Sequence, residues 1–229
     1  MAYVMSPTGI DQYRTCPRKF YEQYITKFIK WQATPAVSRG NAIHEALAKS
    51  IIKGFKSIDY WPDGVELDFM EQKVNQLRGL VDAGVAVHTE HELVVDKKLQ
   101  PTKTGWWDAD AWLRAKADVV VLPPKRNTAM VFDWKTGKNW SGDRLQLRLE
   151  ALLINLIYKY PVIEYAYWYV DSGETVSGTC DFSHNLDDVD DIIQIIKELQ
   201  GSLADNVFPR KQNKFCNWCI LKDTEKCRM

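Results

Sequence analysis

One stretch in the middle of the sequence constrains the fold most, because it joins an apolar run to alternating charges. Residues 131–137 read Val-Phe-Asp-Trp-Lys-Thr-Gly, and the period-two alternation of a β-strand would place Asp133 and Lys135 on the same face. A carboxylate and an ammonium side by side at a strand end can hold a divalent cation and position a water beside it. An ordinary surface ion pair is the alternative interpretation.

A second strand pattern precedes this one and carries another carboxylate. Period two predicts that the even-numbered residues 114–120 share one face and the odd-numbered residues 113–119 the other. Asp118 stands directly before the apolar run 119–122, where an unpaired carboxylate would be costly to bury. Two acids from neighbouring strands and a lysine are typical of a site for Mg²⁺ or Mn²⁺ in phosphate chemistry. A solvated sheet face would explain the alternation equally well.

The order of patterns along the chain predicts an α/β fold, with a mixed central β-sheet flanked by helices. The predicted helices cover residues 9–28, 35–53, 67–81, 144–158 and 187–203. The predicted strands cover residues 85–95, 111–122, 128–135, 162–170 and 174–182. We expect a single domain, with a mainly helical part over 1–84, a core over 85–205 and a cysteine-bearing tail over 206–229.

Charge and composition narrow the class of protein. Thirty basic residues balance thirty acidic ones, which argues against binding to nucleic acid through bulk charge alone but is compatible with a local basic cleft. No apolar run is long enough to span a bilayer, and the N-terminus lacks the features of a secretion signal. We therefore expect a cytoplasmic protein with no membrane partner. Five cysteines in such a chain argue against a disulfide framework.

Two predicted helices add polar residues to the two strands. His44 lies on the second helix as a candidate nitrogen ligand, although a lone helical histidine is more often a structural or surface residue. Gln146 and Glu150 lie one turn apart on the helix that follows the Asp-x-Lys strand. Each signal is weak alone, and their order along the chain carries the information.

That order resembles the PD-(D/E)XK nuclease superfamily. The motifs are Gly-x-x-x-His ending at His44, a strand aspartate at 118, Asp-x-Lys-Thr-Gly-Lys from Asp133 and Gln-Leu-x-x-x-Ala-Leu from Gln146. RecB-like and CRISPR-associated exonucleases are the branch that it resembles most. Residues 16–21, Cys-Pro-Arg-Lys-Phe-Tyr, are similar to the start of that group. The resemblance implies a restriction-endonuclease-like core.

The resemblance also implies a role for each residue. His44, Asp118 and Asp133 would bind a catalytic Mg²⁺ or Mn²⁺, and the backbone carbonyl of Trp134 would complete the shell. Lys135 would orient or activate the attacking water and stabilise charge at the phosphate.

Gln146 would position its helix or contact DNA near the scissile group. The chain departs from the family pattern twice. Arg-Ala-Lys-Ala at 114–117 replaces a glycine expected before the strand aspartate, and Glu150 replaces a tyrosine expected four residues after Gln146. The carboxylate of Glu150 could point into the cleft beside Gln146, or it could face solvent.

The implied function is a metal-dependent DNA exonuclease acting on single-stranded DNA or DNA ends. Two alternatives remain open: a catalytically silent DNA-binding subunit of a helicase–nuclease or CRISPR adaptation complex, and a structure-selective endonuclease. Protein partners in DNA repair, recombination or CRISPR adaptation would accompany these functions. The candidate DNA-binding cations are Arg39, Lys138, Arg144, Arg148, Arg210 and Lys211. The candidate base-stacking residues are Trp106, Trp107 and Trp140.

The cysteines suggest a second site. In the iron–sulfur members of the group, one N-terminal cysteine joins three C-terminal ones in binding a 4Fe–4S cluster, and Cys16, Cys216, Cys219 and Cys227 are similar to that arrangement. Structural zinc on the same four thiolates, or free thiols without metal, are the alternatives. A site of this kind would join the two ends of the chain, with a structural role. We expect Cys180 to be a core thiol.

Overall fold

A five-stranded mixed sheet forms the centre of the protein. The computed structural model describes residues 3–30, 32–58, 60–137, 144–184 and 186–228. Its strands are β1 Ala86–Val95, β2 Leu113–Leu122, β3 Thr128–Lys135, β4 Val162–Tyr169 and β5 Glu174–Asp181. They lie in the order β1-β2-β3-β4-β5, with β3 and β4 parallel and the other neighbours antiparallel. The predicted α/β class with a mixed sheet is confirmed.

Helices cover both faces of this sheet. They are α1 Pro7–Thr15, α2 Pro17–Phe20, α3 Pro35–Lys53, α4 Leu67–Asp82, α5 Leu145–Tyr158, α6 Asp190–Asp205 and α7 Glu225–Arg228. Because β3 and β4 are parallel, the chain must cross over between them, and α5 forms that crossover. The core between α5, α1, α6 and one face of the sheet is separate from the core between α3, α4 and the other face.

The first predicted helix, residues 9–28, is broken in the structure. Cys16 is extended, with φ −161° and ψ 106°, because the ring of Pro17 disfavours helical geometry in the residue before it. Pro17 then starts α2, where its missing N–H costs nothing, and a π-helical turn over Tyr21–Ile25 follows. The break places Cys16 between two helices.

The faces of β2 do not alternate as the sequence predicts. The odd-numbered residues 113–117 pack in the core under α5, but Val120 does so too, whereas Val119 packs in the core under α3 and α4. The alternation therefore slips by one residue at Asp118. In β1, the position opposite Asp118 is Glu90, whose φ of 51° departs from extended geometry. The left-handed backbone of Glu90 interrupts the pleat. Before and after this point, alternate residues of each strand therefore lie on opposite faces of the sheet.

Within the described part of the chain, no helix is both long and apolar enough to cross a membrane.

Candidate active site

The end of β3 forms the centre of a polar cluster. Lys135 Nζ lies 2.7 Å from Asp133 Oδ2, as expected for two residues on one face of a strand. The same ammonium donates a hydrogen bond of 2.9 Å to Gln146 Oε1, and it lies 4.9 Å from the centre of the Tyr167 ring. Asp133 is only 2% exposed. Asp133 is therefore buried and Lys135 half-buried in a network of contacts, unlike a solvated surface ion pair.

Helix α5 supplies two residues to this cluster from its first turns. Gln146 Nε2 donates to Asp133 Oδ1 and, at 3.0 Å, to Glu150 Oε1. Glu150 is wholly buried, and its Oε2 accepts no hydrogen bond from the described residues. The spacing of four residues on a helix explains why Gln146 and Glu150 meet. Glu150 thus points inward, and the solvent-facing alternative is wrong.

Asp118 connects β3 to helix α3. Its Oδ2 accepts a hydrogen bond of 2.8 Å from the backbone N–H of Trp134, and its Oδ1 lies 3.2 Å from Nδ1 of His44. The indole of Trp134 is buried in the core under α3 and α4. Helix α3 is anchored by its own N-cap, where the side chain of Thr34 accepts from the N–H of Val37. His44 therefore reaches the sheet from a well-formed helix.

Glu90 belongs to this cluster, and the sequence analysis missed it. Ligand atoms of His44, Glu90 and Asp118 all lie within 4.8 Å of one another, the one such group of three metal-binding side chains found among the described residues. Glu90 also contacts Lys116, whose Nζ lies 2.7 Å from its Oε2. Only the pairing of β1 with β2, which places Glu90 opposite Asp118, brings this residue to the cluster. A single sequence does not indicate which residues pair between two strands.

Two carboxyls of the cluster have raised pKa values, chiefly because they are buried. Burial, assisted by the charge of Asp118, raises the pKa of Asp133 from 3.8 to about 6 despite the nearby Lys135. Burial and the charge of Asp133 raise the pKa of Glu150 well above its ordinary value. Carboxylate oxygens with one imidazole nitrogen are ligands suited to Mg²⁺ or Mn²⁺. The residues present fit a divalent cation, whose charge would offset the repulsion between the neighbouring carboxylates.

Two basic side chains of the cluster, His44 and Lys135, have raised pKa values because carboxylates lie beside them. Burial lowers the pKa of His44, but its hydrogen bond to Asp118 and the charge of that carboxylate outweigh this, so the pKa lies above its ordinary value. Burial also lowers the pKa of Lys135, and the charge of Asp133 again prevails. Lys135 is therefore an ammonium at neutral pH, which can donate hydrogen bonds but cannot accept a proton.

Comparison with known proteins identifies the family. Residues 4–224 match a family model described as the PD-(D/E)XK nuclease superfamily. The chain belongs to this superfamily. Among curated proteins no match is found. Membership in the PD-(D/E)XK superfamily supports a nuclease function and the use of a divalent metal.

One solved structure shares the fold of this chain. The structure described as the crystal structure of SSO0001 has a TM-score of 0.53 and 14% identity, over 98% of this chain and 86% of that one. An alkaline exonuclease from Laribacter hongkongensis has a TM-score of 0.35 and 12% identity, over 88% of this chain and 87% of that one. Its complex with dAMP has a TM-score of 0.34 and 11% identity, over 89% of each chain. The first likeness shows a common fold, and the other two are too distant to carry an argument.

Two of the predicted DNA-binding cations already have acidic partners. Arg39 donates two hydrogen bonds to the carboxylate of Asp171, at 2.7 and 3.1 Å, and another to the carbonyl of Asp63. Arg148 donates to the carboxylate of Asp191 and to the carbonyl of Asp188. Both guanidiniums therefore hold parts of the fold together. That they also contact DNA stays a prediction.

The other predicted DNA-binding residues lie in several places. Arg144 is exposed at the start of α5. Lys138 and Trp140 lie outside the described residues. Trp107 is 85% exposed, and the guanidinium of Arg114 lies 4.3 Å from the ring centre of its neighbour Trp106. An exposed indole beside a stacked arginine has the chemistry of a base-stacking surface.

The tail is fastened to the N-terminal helices by side chains other than cysteine. Arg18 Nε donates to the carbonyl of Lys226 at 2.9 Å, and Lys211 Nζ donates to the carbonyl of Arg14 at 3.0 Å. Arg210 makes a longer contact, of 3.5 Å, with the carbonyl of Cys227. Lys211, predicted as a DNA contact, therefore joins the two ends of the chain, whereas Arg210, also predicted as a DNA contact, bonds within the tail.

Four free cysteines lie at this junction. Cys16, Cys216, Cys219 and Cys227 are half-buried and line one cavity of about 660 Å³. Four thiols around one cavity fit a metal site held by four thiolates, with zinc and an iron–sulfur cluster as the two candidates.

The fifth cysteine behaves differently. Cys180 is buried in the core under α5, and burial raises the pKa of its thiol to about 12. A buried thiol of this kind is a small apolar side chain. Its surroundings match the expectation of a core thiol.

Proposed function

We propose that this protein is a metal-dependent DNA exonuclease that hydrolyses phosphodiester bonds in single-stranded DNA or at DNA ends. One observation carries the proposal: His44 pairs with Asp118, Lys135 and Gln146 pair with Asp133, and the backbone N–H of Trp134 on β3 donates to Asp118 between them. All members of the set are present on neighbouring strands and the helices beside them. A catalytically silent subunit would have no need to keep this costly arrangement of buried charges.

His44, Asp118 and Asp133 would hold the catalytic cation, with the carbonyl of Trp134 as a further ligand. When bound, a divalent cation polarises a phosphate oxygen and lowers the pKa of a water. Asp133 would exchange its ion pair with Lys135 for the cation. This exchange would free the ammonium of Lys135 to act on the substrate.

Lys135 would donate hydrogen bonds to the attacking water and to the phosphate oxygen on which charge develops. Its raised pKa favours this role over that of a general base, because it remains charged at neutral pH. Gln146 would hold the side chains of Lys135 and Asp133 in position, since it contacts both. Glu150 replaces the aromatic residue of the family pattern and would act through Gln146.

We further propose that the substrate strand passes over Arg144 and Trp107, and that Lys138 and Trp140 also contact it. The exposure of Arg144 and Trp107 supports this path. Arg39 and Arg148 would contribute only if a phosphate competes with their acidic partners. Stacking on exposed indoles would suit a single strand with unpaired bases.

The four cysteines support a narrower proposal: a RecB-like or CRISPR-associated type of exonuclease that contains a 4Fe–4S cluster. Cys16, Cys216, Cys219 and Cys227 would be its ligands, and the cavity that all four line at the junction of the two chain ends supports the proposal. Its role would be structural. A function in recombination, repair or CRISPR adaptation would follow, with protein partners from those processes.

The test compares end-labelled linear DNA with covalently closed circles, each single- or double-stranded, in the presence of Mn²⁺. We expect linear substrates to be degraded to short products and circles to stay intact, with Asp133→Asn as the inactive control. Cleavage of circles would indicate an endonuclease. DNA binding without any hydrolysis would indicate the silent subunit.

A further inference from the structure

The loop of residues 96–112, between β1 and β2, is held in shape by its own hydrogen bonds. The carboxylate of Asp96 accepts two backbone N–H groups, at 2.8 and 2.9 Å, and the carboxylate of Asp108 accepts two others, at 3.0 and 2.9 Å. At the base of the loop, the N–H of Trp112 donates to the carbonyl of Val95 at 2.9 Å. Because short polar side chains fix the turns in this way, the loop has a defined backbone shape.

The turn Gly105–Trp107 in this loop places two indoles beside an arginine. The guanidinium of Arg114 lies 4.3 Å from the ring centre of Trp106 and 5.7 Å from that of Trp107. Arg114 also donates a hydrogen bond of 2.9 Å to the carbonyl of Trp106, and its buried Nε meets no acceptor among the described residues. Arg114 therefore anchors the turn to β2, while 85% of Trp107 stays exposed.

The turn lies at the end of the sheet that also carries the proposed active site. The loop leaves β1 and enters β2 at Val95 and Leu113, which are paired with each other. Since β3 runs antiparallel to β2, its last residue, Lys135, lies toward the same end. Arg114 precedes Asp118 by four residues of strand, a rise of roughly 13 Å. A DNA strand whose phosphate lies at Lys135 can therefore extend to the exposed indole.

The surroundings of Trp107 favour a nucleobase over an apolar protein surface. Residues 103–110 contain no large apolar side chain besides the two indoles, and three exposed lysines stand in the same loop: Lys97, Lys98 and Lys103. Surfaces that dock proteins are usually contiguous apolar patches, whereas a single indole among cations suits a base and its phosphate. Because base pairs in a duplex stack on one another, such an indole can stack only on an unpaired base.

We propose that Trp107, supported by the stack of Arg114 on Trp106, is a nucleobase-binding site that selects single-stranded DNA. The inference rests on the proposed nuclease function and deepens it, because it assigns the choice of substrate to the β1–β2 loop rather than to the catalytic residues. An unpaired base stacks on Trp107 while the strand continues to Lys135. A blunt duplex reaches the same catalytic residues but gains nothing from the indole.

Fluorescence anisotropy of labelled oligonucleotides tests the proposal, with Asp133→Asn present in every protein to prevent hydrolysis. We expect Trp107→Ala to weaken binding of a single strand roughly 5- to 100-fold, the range for the loss of one stacked base. Binding of a blunt duplex should stay nearly the same. Trp107→Phe keeps an aromatic ring and should restore most of the affinity for single strands.

A second measurement uses the active protein and locates the site along the DNA. Single-stranded substrates that each carry one abasic residue, moved stepwise along the strand, are cleaved in the presence of Mn²⁺. We expect cleavage to be slowest when the abasic residue lies at one fixed number of nucleotides from the scissile bond, because that base is the one that stacks. Trp107→Ala should lose this dependence on position.

Two further variants separate the indole site from general effects. Trp218→Ala is the matched control, because its indole is 81% exposed in the tail and takes no part in the proposed site, so it should keep the preference for single strands. Arg114→Lys keeps the charge but lacks the planar group that stacks on the indoles. It should weaken binding of single strands and leave binding of duplexes nearly the same.

Unchanged binding of single strands in Trp107→Ala would overturn the proposal and would point to a protein partner for the exposed indole. Equal losses for single strands and duplexes would also overturn it, because the contact would then not distinguish unpaired bases. An equal loss in Trp218→Ala would do the same. A wild type that neither binds nor cleaves DNA would instead contradict the proposed function, so the two failures are distinguishable.

Discussion

At the scale of single residues, Asp133 shows how a buried carboxylate destabilises the protein that carries it. Its pKa in the folded protein is about 6, above the value of 3.8 for an ordinary aspartate. The folded state thus binds this proton more tightly than the unfolded state. The resulting stabilisation is complete below pH 3.8 and is lost as the pH rises through about 6. At pH 8 the buried charge costs on the order of 3 kcal/mol.

We therefore predict that Asp133→Asn raises the Tm of the metal-free protein at pH 8 but not at pH 4, while it abolishes cleavage. The amide keeps the shape of the side chain and removes the charge. Calorimetric melting curves at the two pH values provide the measurement. A lower Tm at pH 8 would show that the contact with Lys135 outweighs burial.

The same pKa predicts how cation binding depends on pH. A cation binds the ionised carboxylate, so a proton competes with it once the pH falls below about 6. We expect the affinity for Mn²⁺ to be constant between pH 7 and 8 and to fall roughly tenfold per pH unit below 6 if one proton competes. Isothermal titration from pH 5 to 8 measures this. An affinity independent of pH would exclude Asp133 as a ligand.

Lys135 allows a prediction that separates binding from chemistry. Lys135→Ala should retain the cation but reduce turnover by about 10²–10³, because it removes a donor that acts on developing charge in the transition state. Single-turnover rates and Mn²⁺ titrations of the same protein decide this. If Lys135→Ala lost metal as completely as Asp133→Asn, the two roles would have to be reassigned.

At the scale of elements, one ion pair connects three parts of the fold beside the site. Asp171, after β4, accepts from Arg39 of α3 and, at 2.7 Å, from the backbone N–H of Gly137 after β3. Gly137 has a φ of 87°, which glycine adopts without strain. Asp171 thereby fastens α3, and with it His44, to the loop that follows Lys135.

If this fastening is the role of Arg39, Arg39→Ala and Asp171→Asn should slow cleavage to a similar extent. The double variant should be little worse than either single one, with a coupling of roughly 1 kcal/mol or more. If Arg39 instead binds DNA, only Arg39→Ala should weaken DNA affinity. Cleavage rates and filter-binding affinities of the three variants distinguish the two roles.

At the scale of the whole molecule, the cysteine cavity joins residue 16 to residues 216–227. Anaerobically purified protein should contain about four iron and four sulfide per chain and absorb broadly in the visible range, as four thiolate ligands to a 4Fe–4S cluster require. Cys16→Ser should lose this colour and lower the Tm by roughly 5–15 °C, because it opens a long loop worth a few kcal/mol.

Cys180→Ser is the control for that prediction, because it also removes a thiol and should keep the colour. The folded tail should survive in Cys16→Ser at low temperature, since Arg18 and Lys211 still bond across the junction. One zinc and no iron in the wild type would identify a zinc site. Full iron content in Cys16→Ser would exclude Cys16 as a ligand.

The sequence by itself determined the order and type of the main elements, because hydrophobic periodicity is local. The predicted bounds of α3 and β3 agree with the observed ones, and the pairing of Asp133 with Lys135 follows directly from the period of a strand. The meeting of Gln146 with Glu150 follows in the same way from the period of a helix.

Only the tertiary structure decided which distant groups meet. Glu90 joins the cluster through a strand register and a left-handed backbone, and neither is encoded in a short window of sequence. The partners of Arg39 and Arg148 come from loops and helices 132 and 43 residues away along the chain. The inward burial of Glu150 depends on the packing of α5 against the sheet. Periodicity shows which face a residue occupies, whereas the charge and dielectric around it come from segments remote in the chain.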